Sequence, residues 1–220
     1  MNENSKWLNN FIREVVDGWM LNDLKRLIND IPHRSSEAGN CNFPIALYIF
    51  ACIEFLGQLT LSTPMSGSSY TQASIMGFID DFFPDNFKEK LRPYRDNFVN
   101  IFRNGLAHNY FAKYAGVSRT ESEPLQVNAD GMLILDADLF TEAFRSGINK
   151  LKKSIQTDPH LVHRIVERYN TQYKESSLRF RATPTTTSFV SGASLAHPSM
   201  LKNLKSTTTM PPPPKPDNDV

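Results

Sequence analysis

The chain has 220 residues with 24 basic and 23 acidic side chains, a net charge of +1 that excludes the broad positive field of a general nucleic-acid binder but leaves room for a small cationic site. That length suits one domain with appendages, or one domain and a small satellite. The two cysteines, Cys41 and Cys52, lack the second pair or histidine cluster of a zinc site, so no metal is expected and the thiols read as reduced core residues of a cytoplasmic protein.

The N-terminus, MNENSKWLNN, lacks the basic-then-apolar pattern of a signal peptide. A first helix is expected from about Ser5, a candidate cap, to Asp30, with Leu8, Phe11, Ile12, Val15, Trp19, Leu24, Leu27, Ile28 and Ile31 as its apolar face. Pro32 ends it, and a loop rich in Ser, Gly and Asn leads to Pro44 in the first turn of a second helix. That helix presents Tyr48, Cys52, Phe55 and Leu59 at bundle spacing.

Residues 43–61 are barely long enough to span a bilayer and carry Glu54 near their middle, where a lone carboxylate is costly in lipid. A buried bundle helix, not a membrane span, is expected. Glu54 is also the only charged side chain between Glu37 and Asp80, and an acid kept in so apolar a stretch asks for a partner. Two roles are open to it: facing Arg103 and His108 from a neighbouring helix and orienting one of them as part of a catalytic site, or sitting at the bundle edge or pairing with a basic residue in the core.

After a flexible STPMSGSSY connection, a short helix is expected over 71–83. A longer one over 86–111 carries Phe87, Leu91, Tyr94, Phe98 and Ile101, four, three, four and three apart, a count that continues to Gly105 and His108. Pro93 predicts a kink or break within it, and Gly105 on the packing stripe predicts close approach of another backbone. At ~100° per residue Arg103 points opposite the stripe, Asn104 lies on its flank, and His108 lies near its edge.

Beyond Gly116 the period changes. Two short apolar runs flank Asp130-Gly131, the signal of a β-hairpin over about 124–136 that must lean on the bundle. Helices from about Ala137 to Ile155 and from Pro159 to Lys174 follow, and residues 176–220, rich in Ser, Thr and Pro, read as a disordered tail. The fold class expected is all-α: an up-and-down bundle of five to six helices over 1–175 with a small hairpin insertion.

Arg103-Asn104-Gly105-Leu106-Ala107-His108, closing a long amphipathic helix, resembles the signature of the HEPN superfamily: Arg, four to six residues, then His, often with a polar residue after the Arg. The resemblance covers about residues 5–175. It implies a helical bundle and a metal-independent endoribonuclease, of the toxin or phage-defence kind, needing no cofactor and leaving a 2′,3′-cyclic phosphate and a 5′-hydroxyl. It also implies a homodimer that gathers both copies of Arg103 and His108 at one cleft, with an RNA substrate and an antitoxin protein as candidate partners. In that chemistry His108 suits proton transfer, Arg103 grips phosphate oxygens, and Asn104 donates to phosphate or holds the imidazole. Tyr110, Phe111 and Tyr114 are candidates to stack on a base, and Lys113, Arg95 and Arg119 to contact phosphate. Two other readings stay open: a non-catalytic HEPN-type module that binds a nucleotide or protein partner or dimerises, and an unrelated helical protein with a chance motif.

Overall fold

The computed structural model describes residues 3–31, 41–62 and 70–174. The chain divides into Met1–Arg181 and Ala182–Val220, and every described residue belongs to the first unit. The expected tail over 176–220, the expected helix stop at Pro32 with the loop over 32–40, and residues 63–69 of the expected STPMSGSSY connection lie outside the described residues, while Tyr70 at the end of that connection already belongs to a helix.

The unit is mainly helical with a small sheet. Its first rod runs as α1 (Glu3–Phe11), a π-helical stretch Ile12–Leu21 and α2 (Asn22–Asn29), with helical dihedrals at both junctions. Ser5 sits within α1 instead of capping it. Leu8, Phe11 and Leu24 are buried as expected, but Val16 takes the place of Val15 in the core and Trp19 is 61% exposed. The π-helix bonds i to i+5, so a face counted at 3.6 residues per turn slips within it.

Helix α3 (Asn42–Thr60) is the core of the bundle, and ten of its 19 residues are buried. Among the described residues it is the one helix long and apolar enough to cross a membrane. In the fold its apolar surface is taken up by α4 (Tyr70–Phe82), α8 (Ala137–Thr157) and α9 (Pro159–Tyr169). Glu54 bonds to Thr71, Gly57 abuts Ser74, and Leu61 abuts Gly77, so α3 and α4 run side by side in the same direction. This departs from the alternating order of an up-and-down bundle. A close approach made possible by Gly57, whose Cβ would stand 2.0 Å from the Ser74 carbonyl oxygen, holds the pair together.

The fully buried rings of Phe50, Phe78, Phe83, Phe87, Phe98, Phe102, Phe140 and Phe144 dominate the interior. Phe140 stacks on Phe87 at 5.6 Å and meets Phe50 at 5.1 Å, offset and tilted arrangements that suit the ring quadrupole. Each such ring removed from water contributes about 1.5–3 kcal/mol. Asp136 caps α8 through the Leu139 N–H, and Asp158 caps α9 through His160 and Leu161, with Pro159 in the first turn.

The long helix expected over 86–111 is instead a series: α5 (Asp85–Leu91), a 3₁₀ turn Arg92–Tyr94 at Pro93, α6 (Arg95–Phe98), a π-helical stretch Val99–Asn104 and α7 (Gly105–Asn109). Proline removes a backbone donor and crowds the preceding turn, which accounts for the break.

Three strands follow, β1 (Ala115–Ser118), β2 (Leu125–Val127) and β3 (Leu133–Asp136), in the order β1-β3-β2. The expected hairpin is β2–β3, antiparallel with Leu125 opposite Leu135. Its loop is longer than a two-residue Asp-Gly turn: the Asn128 side chain accepts from the Asp130 and Met132 N–H groups, and Gly131 supplies a φ of +79°. Strand β1, parallel to β3, was not expected; AGVS carries one large apolar side chain and no alternation to count. The sheet is tied to the helices by Asn42 Nδ2, which donates to the Val117 carbonyl at 3.1 Å.

Candidate active site

Two structural devices set the signature segment. The π-helical stretch turns the buried face by one residue, so that Phe98, Phe102, Gly105 and Leu106 enter the core where Phe98, Ile101 and Gly105 were expected, with His108 near the edge. The slip brings Arg103 onto the flank of that face, half-buried, and leaves His108 fully on the outside. Beyond His108 the helix ends at Tyr110, which holds a left-handed φ of +65° where glycine is the usual residue.

From there the chain folds back along the helix. The Lys113 N–H donates to the Ile101 carbonyl at 3.0 Å, and a Cβ on Gly105 would stand 2.7 Å from the Phe111 carbonyl oxygen. Gly105 is thus the residue that permits the reversal, the close approach its place on the stripe predicted.

Arg103 is not a loose surface arginine. Its Nε and Nη2 donate to Glu54 Oε2 at 3.1 and 2.9 Å, and its Nη1 donates to Asn104 Oδ1 at 3.1 Å. Thr71 holds the other Glu54 oxygen at 2.7 Å. The side chains of Arg103 and Glu54 are 24% and 14% exposed, so the pair sits just beneath the surface. Glu54 therefore reaches Arg103 from α3 and forms no hydrogen bond or ion pair with His108. A guanidinium carries five N–H donors, and these contacts leave one on each Nη without a described partner.

His108 is exposed and makes no hydrogen bond or ion pair with any other described residue. Next to it in the chain lies an aromatic surface: Tyr110 is 64%, Phe111 62% and Tyr114 99% exposed. Phe43 of α3 meets Tyr110 and Phe111 edge-on, with ring centres 5.7 and 5.5 Å away. A cavity of about 440 Å³ opens beside this surface, lined by Cys41, Asn42, Phe43, Pro44, Tyr110 and Val117. Neither Arg103 nor His108 lines it.

Of the other candidates, Lys113 extends to Asn100 Oδ1 at 2.9 Å on the exposed side of the segment. Arg95 is occupied by Asp80, which receives both of its terminal nitrogens. Arg119 is a correction: its side chain is 3% exposed, binds Asp138 at 2.9 Å and donates to the Ile28 and Ile31 carbonyls. It closes the C-terminal end of α2, where a cation is favoured by unsatisfied carbonyls, and offers nothing to a phosphate. Thr71 and Phe43 were missed because each acts through space, and neither carries a local pattern.

The arrangement supplies a permanent cation fixed by a carboxylate from another helix, a solvent-facing imidazole five residues on, and flat rings alongside. Among the described residues no group of three or more His, Cys, Asp or Glu is placed to hold a metal ion. The chain matches no protein-family model, no curated protein and no solved structure.

Proposed function

We propose that the Arg103–His108 helix end is the working surface of a metal-independent endoribonuclease of the HEPN type, completed when two copies of the chain face each other. The observation that carries this reading is the clamp on Arg103: Thr71 orients Glu54, Glu54 orients the guanidinium, and two N–H groups remain for a phosphate. Such preorganised donors stabilise developing charge without having to reorganise during the reaction.

In this mechanism His108 of one copy takes the 2′-hydroxyl proton as the 2′-oxygen bonds to phosphorus, and His108 of the other protonates the leaving 5′-oxygen as the P–O5′ bond breaks. Arg103 and Asn104 hold the phosphate oxygens, and the products are a 2′,3′-cyclic phosphate and a 5′-hydroxyl. Tyr110 and Tyr114 stack on the flanking base, and Lys113 meets the neighbouring phosphate. A toxin or defence role in the cytoplasm, restrained by an antitoxin, belongs to the same proposal; the two free thiols suit that compartment.

The second reading, a non-catalytic binding or dimerisation module, is favoured by a different observation. Arg103 already has a carboxylate partner, and Tyr110, Phe111 and Tyr114 make an exposed apolar patch of the kind that protein contacts use. One assay separates the two: total RNA incubated with purified protein in excess chelator, beside Arg103→Ala and His108→Ala. His108 is exposed, so His108→Ala should melt with the wild type yet lose about 100-fold or more in cleavage rate. Absence of cleavage by the wild type, or full cleavage by His108→Ala, overturns the enzyme reading.

A further inference from the structure

A second cavity, of about 470 Å³, lies along α9 and its π-helical continuation Asn170–Lys174. His160, Arg164 and Arg168 on its wall recur every four residues, which puts all three on one face of the helix. Tyr70 and Ser62 line the opposite part.

The two arginines are differently employed. Arg168 Nη1 donates to the Gln58 carbonyl at 3.1 Å. Arg164 makes no hydrogen bond or ion pair with any described residue, and its Nε is buried without a partner. The acids nearby do not bridge the pair: Glu167 leans towards His163 at 3.8 Å, and Asp81 feels the Arg164 charge without an ion pair to it. Burial, and then the Arg164 charge one turn away, hold Arg168 below its ordinary value against the opposing pull of Tyr70 and Glu167. Glu167 lines the same cavity, but among the described residues no carboxylate is ion-paired to either arginine; two like charges taken partly out of water in that way are costly, and such groups are ordinarily paired.

We propose that this cavity binds a phosphomonoester of nucleotide size, its phosphate bridging Arg164 and Arg168 and its body lying against Tyr70. Three terminal oxygens can take donors from both guanidinium forks and from His160, more than the two oxygens of a carboxylate accept. The volume exceeds a bare phosphate ion and falls within the ~300–1,000 Å³ of small-molecule sites. The Tyr70 hydroxyl, held by Gln172 Nε2 at 2.8 Å, fixes the ring that forms the wall.

Calorimetric titration of the full chain with adenosine 5′-monophosphate, inorganic phosphate, adenosine and acetate tests the assignment. The monophosphate should bind, inorganic phosphate should bind more weakly, and adenosine and acetate should not bind. Arg164→Gln should weaken the monophosphate by about tenfold or more, and Arg164→Lys should recover little of it because an ammonium lacks the fork. Since Arg164 has no described partner, the unliganded Arg164→Gln protein should melt no lower than the wild type, whereas a structural arginine would lower it. Failure of both phosphate compounds to bind, unchanged binding by Arg164→Gln, or equal binding of acetate would overturn the proposal.

Discussion

Replacing Glu54 by alanine should destabilise the fold by about 2–3 kcal/mol, at or just below the low end of the ~3–5 kcal/mol cost of stripping one partner from a fully buried ion pair. The low end applies because Arg103 keeps 24% of its side-chain surface and water can partly replace the carboxylate. The change also removes the acceptor of Thr71, which leaves a hydroxyl to find another partner. Glu54→Gln separates charge from hydrogen bonding. Its amide oxygen can face Arg103 while its NH₂ donates to Thr71 Oγ1, so about 1 kcal/mol should suffice. In a domain of this length those costs lower Tm by about 4–12 °C for alanine and about 2–4 °C for glutamine. Urea unfolding followed by far-UV circular dichroism, completed with Arg103→Ala and the double variant, should give a coupling of about 1–2 kcal/mol between the two side chains. A loss below about 0.5 kcal/mol for Glu54→Ala, or additive single effects, would show the pair to be solvated and the clamp on Arg103 to be unimportant.

Gly57→Ala should cost about 3 kcal/mol, the upper part of the overpacking range, because its Cβ meets the Ser74 backbone and not a side chain that can rotate away. An unfolding midpoint close to the wild type's would refute the close α3–α4 approach. Asp136→Asn keeps the acceptor for the Leu139 N–H but loses the oxygen that receives the Glu121 N–H at 2.9 Å, for about 1–2 kcal/mol. Burial holds the Asp136 carboxyl above its ordinary value despite those two N–H donors. The folded chain therefore takes up this proton at higher pH than the unfolded chain, and ionisation subtracts stability as pH rises through the folded value. Unfolding measured from pH ~7 down to ~4 should show the wild type's margin over Asp136→Asn widening towards acid. A margin that stays constant would refute that sign.

Much of the local structure is legible in the chain itself. The helix over 70–82, the core role of α3, the break at Pro93 and the backbone contact at Gly105 follow from apolar spacing and from what proline and glycine do to a backbone. Three features were not legible for a common reason. The π-helical stretches change the count of residues per turn, so Val16 replaces Val15 and Phe102 replaces Ile101 in the core, and no composition signal announces them. Strand β1 exists because β3 offers an edge, and the parallel course of α3 and α4 is a matter of packing.

By itself the sequence determined that a lone acid in an apolar helix needed a partner and that Arg103 and His108 close a helix together. Only the tertiary structure chose between the roles open to Glu54 and between Arg103 and His108 as its partner: Glu54 holds Arg103, 49 positions away, with Thr71 behind it, and His108 is left to solvent. The reason is that residue spacing fixes which side chains share a helix face, whereas which faces meet depends on how whole helices fill space, and one residue of π-helix is enough to turn a face.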